Sequence, residues 1–138
     1  MRELVIFAYL LATSSVFAQS DAALQERLKS IGSDPVALRA AVDAGKKVTF
    51  FCANCHGVDG GRMTAGGPIL AGQNPAYLLE QIRKFGNGER KDPFMQGLIK
   101  VLKSEERIQI AHYYASVKVA PSVADASQVP RGKELFSK

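Results

Sequence analysis

The 138 residues are enough for one compact domain with a modest core and short extensions, and two full domains would be crowded. With 46% apolar and 22% charged residues, the composition is that of an ordinary soluble chain. The net charge of +5 suits an acidic partner surface, and equally plain solubility, and anionic lipid would fit it too. It does not point to nucleic acid, because no Lys/Arg run is interleaved with aromatics and no strand-rich stretch offers a stacking platform.

Arg2 precedes an apolar stretch from Leu4 to Leu11, and small residues follow, with Val16 and Ala18 spaced for cleavage. Residues 1–18 therefore read as a secretory signal peptide, too short in its apolar part for a comfortable membrane span of about 20 residues. Glu3 weakens the positive start, so an uncleaved anchor stays open. After cleavage no integral span is expected, and the expected location is the periplasm.

Downstream the pattern is helical almost throughout. Leu24, Leu28 and Ile31 share one face of a helix over residues 22–31, ended by Gly32. Asp34 and Pro35 look like an N-cap and first helical position, opening a helix that runs to about Phe51 with a possible break near Gly45. Asn74–Pro75 repeats that signal before an apolar stripe of Tyr77, Leu78, Ile82 and Phe85, and Asp92–Pro93 repeats it again before a short segment to Leu102. Ser104 reads as the cap of the last long helix, with Glu105 and Glu106 in its first turn, and that helix sends Ile108, Ala111 and Ala115 towards a core. Residues 56–73 hold six glycines and Pro68, which makes them a long loop of the kind that usually carries function. Residues 119–130 read as a linker. No strand pattern stands out.

Cys52-Ala53-Asn54-Cys55-His56 carries the chemistry. The spacing C-x-x-C-H is that of c-type haem attachment: two thiols add across the two vinyl groups of one haem edge, and the adjacent His falls beneath the iron. A disulfide between these cysteines would close too small a loop to stabilise much. A thioredoxin-like use requires a βαβ context, and a zinc site requires further Cys or His ligands, of which only His112 remains.

With these residues in view the chain resembles a class I c-type cytochrome, closest to the bacterial cytochrome c4 and c553 type. The resemblance is carried by Gly45-Lys46, residues 52–57, Gly60-Gly61, residues 67–73, Tyr77-Leu78 with Gln81, Phe85, Gly88, Arg90, Met95 and residues 111–115. It implies an all-α fold of helices wrapped around one covalently bound haem c, spanning residues 40–118. Residues 19–39 are then a helical N-terminal extension and residues 119–138 a linker and tail. Residues 130–136 also resemble residues 44–50 ahead of the haem motif, so the tail reads either as the start of a second unit or as a short solvated end.

The resemblance further implies a methionine as second axial ligand, a Pro68 carbonyl that accepts a hydrogen bond from His56, and places for Tyr77 and Arg90 near the haem propionates. Of the methionines, Met63 is only seven residues from His56 in a chain that gains at most about 3.3–3.6 Å per residue, so its loop would barely pass round the macrocycle. Met95 has room to cross and sits on a new helical turn, which makes it the expected ligand, with His112 the next candidate. The function expected is that of an electron carrier, not an enzyme. Lys46, Lys47, Arg83, Lys84, Lys91, Lys100 and Lys103 are candidates for an acidic-partner docking face. A haem subunit fixed in a dehydrogenase or oxidase complex, some of them membrane-associated, stays open, as does a haem peroxidase if the sixth site is vacant.

Overall fold

The computed structural model describes residues 21–61, 67–119 and 125–137. Among them are seven helices and no strand: α1 Asp21–Ser33, α2 Pro35–Val48, α3 Ala53–His56, α4 Pro75–Asn87, α5 Pro93–Lys100, α6 Ser104–Ser116 and α7 Val129–Phe136. The expected signal segment lies outside the described residues.

Three starts follow the cap chemistry read from the sequence. Asp34 Oδ1 accepts from the backbone of Val36 and Ala37, Asn74 Oδ1 from Ala76 and Tyr77, and Asp92 Oδ1 from Met95. In each case a proline occupies the first helical position, where its missing N–H costs nothing. The start of α6 differs from expectation. Ser104 is already helical and Lys103 is the capping position, where the Glu106 carboxylate accepts from the Lys103 N–H at 2.7 Å. The third residue of the helix therefore reaches back to the capping residue's own N–H, a different donor from the first-turn N–H groups that a serine cap hydroxyl would serve.

The core forms where α2 crosses α6. Gly45 does not break α2; it permits the crossing. A Cβ there would run into the Gln109 carbonyl and sit 2.8 Å from Tyr113 Cβ, so a side chain would force the helices apart. Around this contact pack Ala41, Ile108, Ala111, Tyr113 and Tyr114, with Leu78, Leu79, Ile82 and Phe85 arriving from α4.

α1 joins the same core. Leu24, Leu28 and Ile31 are buried in it, and α2 runs without interruption across residues 39 and 40. Two further bonds hold α1 to α6: Arg27 pairs with Glu105 at 2.8 Å, and the buried His112 donates from Nε2 to the Leu28 carbonyl at 3.2 Å. In the tail, residues 129–136 form α7, and all of its residues are exposed.

Candidate functional site

After α2 the chain turns through Thr49 into α3, whose single turn carries Cys55 and His56, with Cys52 at its N-cap. Neither cysteine is in a disulfide, and both line one cavity of about 490 Å³, a size typical of cofactor sites. His56 is buried, and its Nδ1 lies 2.7 Å from the Pro68 carbonyl oxygen. A carbonyl only accepts, so Nδ1 carries the proton and Nε2 keeps a lone pair for a metal. Gly67 makes that approach possible: a Cβ there would stand 2.9 Å from the Cys55 carbonyl oxygen and 3.2 Å from His56 Nδ1.

All seven residues singled out from the sequence line this cavity: Cys52, Cys55, His56, Pro68, Tyr77, Arg90 and Met95. Met95 comes from α5, its backbone N–H fixed by Asp92 Oδ1 at 2.9 Å. Arg90 stacks over the Phe85 ring, 4.6 Å from its centroid, and bonds Gln81 Oε1 at 2.9 Å. Tyr77 is half exposed at the opening. The apolar wall comes from Leu78, Ile82, Phe85, Leu98, Ile99 and Ile110. Met63 lies outside the described residues.

His112 is absent from the lining. Its ring is turned to α1, where burial lowers its pKa and the Leu28 carbonyl holds Nε2. Sequence reasoning missed Tyr114, which lines the cavity from α6 while almost fully buried. The available signal was a phenol placed one residue from Tyr113 on the helix expected to face the core. Burial also raises the Cys52 thiol pKa.

Two thiols and an imidazole with its Nδ1 held by a carbonyl, beside a mostly apolar cavity, suit a haem attached through its edge. A model of the cytochrome c family matches residues 42–118. The chain belongs to the cytochrome c family. It is 38% identical to cytochrome c4 of Pseudomonas aeruginosa over 93 residues, which are 67% of this chain and 46% of that protein. It is 40% identical over 68 residues to a thiosulfate dehydrogenase electron acceptor of Thiomonas intermedia, covering 49% of this chain and 31% of the other. The cytochrome subunit of sulfide dehydrogenase from Chlorobaculum tepidum is 28% identical over 108 residues, 78% of this chain and 89% of that one. The crystal structure of reduced cytochrome c4 from Pseudomonas stutzeri superposes with a TM-score of 0.60 at 33% identity, covering 69% of this chain and 55% of the other. This cytochrome spans about half the length of the cytochromes c4 it matches. As a member of the family it is a haem c protein with the all-α class I fold, and Cys52 and Cys55 fit the attachment motif.

Proposed function

We propose that this cytochrome is a single-electron carrier of the periplasm, its haem held through Cys52 and Cys55 and ligated by His56 and Met95. The observation that carries this reading is the 2.7 Å bond between His56 Nδ1 and the Pro68 carbonyl, in a cavity that Met95 also lines. That bond fixes the imidazole plane and its tautomer, and it makes Nε2 a stronger donor. A bound haem supplies a one-electron iron couple. The protein supplies the rest. Cys52 and Cys55 hold the ring edge, the wall of Leu, Ile and Phe excludes water, and Arg90 offers positive charge to an acidic substituent. Met95, a soft neutral thioether, would suit an iron that must be stable in both oxidation states, and as a ligand it would leave substrates no place on the metal. A peroxidase would need that place open.

A second reading has its own support. The relative from Chlorobaculum tepidum is named as a subunit of sulfide dehydrogenase, and this chain covers 89% of it. On that reading the haem domain is fixed to a catalytic partner that oxidises a small reduced compound. Native purification separates the two: a free carrier elutes alone, a fixed subunit elutes with its partner.

For attachment itself, intact mass of the denatured protein is expected to exceed the polypeptide by one haem. Cys52→Ala with Cys55→Ala is expected to abolish it. Haem that extracts into acidified organic solvent would overturn the assignment.

A further inference from the structure

Tyr114 is 1% exposed and lines the same cavity as Cys52, His56 and Met95. Every other part of it is accounted for. Its ring lies against Gly60, where even a Cβ would stand 2.5 Å from Cε1, and its carbonyl accepts from the Gly72 N–H at 2.9 Å. The hydroxyl is different: no described residue meets it at hydrogen-bonding geometry. Its polar neighbours are the Cys52 sulfur and the Thr49 hydroxyl. Thr49 is itself 3% exposed and already gives its proton to the Lys46 carbonyl at 3.1 Å, so a shift of the Tyr114 hydroxyl towards it could use it only as a competing acceptor.

A buried hydroxyl without a partner is costly, and phenylalanine would fill the ring's place without that cost. The position therefore calls for a use of the proton. We propose that Tyr114 is a positioning residue that donates its hydroxyl proton to the Cys52 sulfur in the haem-bearing protein and thereby raises the reduction potential. A hydroxyl dipole with its positive end at the sulfur of one attachment bond disfavours further positive charge on the iron side of that bond. The ferric state carries that extra charge, and the dry cavity leaves it little screening. Hydrogen bonding beside a haem is one of the levers by which a protein sets its potential. This inference rests on Cys52 being a haem attachment point.

The test is a redox titration of holoprotein, paired with the carbon–sulfur stretching band in the resonance Raman spectrum. Covalent haem is confirmed first by denatured mass, so that loss of attachment, which would sink the reading of the site, is told apart from failure of this inference. Tyr114→Phe is expected to lower the midpoint potential and shift the carbon–sulfur band. Thr49→Val, which removes the competing acceptor, is expected to hold or raise the potential. In the wild type that band is expected to move on transfer to heavy water, a measurement needing no variant if Tyr114→Phe fails to mature. A folded Tyr114→Phe protein with unchanged potential would overturn the inference, as would a wild-type band insensitive to heavy water.

Discussion

At the residue scale, the two proposed ligands, His56 and Met95, are held in different ways. His56 is fixed twice, by its neighbour Cys55 in the chain and by Pro68 through Nδ1. Met95 is fixed at its backbone by Asp92 and half-buried in the cavity wall. If the thioether is the sixth ligand, Met95→Ala is expected to abolish the weak long-wavelength sulfur-to-iron band of the ferric protein, lower the potential and admit carbon monoxide to the ferrous iron. Absorption spectra of the variant with and without carbon monoxide check this, and unchanged spectra would return the sixth position to another donor. Much of this site was legible in the sequence because its chemistry demands adjacent residues: two thiols and an imidazole within five positions have few other uses. Tyr114 was not legible, because its role depends on which residues lie across the cavity from α6 and on Gly60 making room for its ring.

At the scale of elements, the starts of α2, α4 and α5 could be read from Asp-Pro and Asn-Pro pairs, since caps are local. The Gly45 crossing and the docking of α1 could not, because both depend on residues more than sixty positions away. Gly45→Ala tests the crossing: it sets a methyl against the Gln109 carbonyl and is expected to destabilise by about 1–3 kcal/mol, the usual cost of overfilling a packed contact. A denaturant titration reads this, and a loss below a few tenths would mean that the helices part easily. The α1–α6 seam predicts an acid limb. His112 is buried neutral, so its folded pKa lies below the unfolded value of about 6.5. The unfolded chain therefore binds the proton first. The contribution is complete above the unfolded value and is lost as pH falls through the folded one. Melting temperatures between pH 7 and pH 5 are expected to fall less steeply for His112→Gln than for the wild type, and equal slopes would assign the acid limb to other groups.

Taken as a whole molecule, the chain joins a net charge of +5 to an apolar opening flanked by Phe51, Tyr77 and Phe94. Of the cations expected at a docking face, Arg83 is bound to Glu80 and Glu89 at 2.8 Å each, and Lys84 lies 3.7 Å from Glu80. Arg83 also holds the Glu89 carboxyl down to about 2, so that pair stays charged through the physiological range. Lys46, Lys47, Lys91, Lys100 and Lys103 are exposed, and Lys91 lines the cavity itself. Electron transfer to an acidic redox protein is expected to slow as salt rises from low ionic strength, where the screening length of about 30 Å at 0.01 M shrinks to about 10 Å at 0.1 M. Stopped-flow rates at several salt concentrations read this, and Lys91→Glu is expected to flatten the dependence. The central proposal is a covalent haem ligated by both His56 and Met95, and the ferric absorption spectrum of the purified protein at neutral pH tests it most directly. It is expected to be low-spin and to include the weak sulfur-to-iron band; a high-spin spectrum, or a low-spin one without that band, would contradict it.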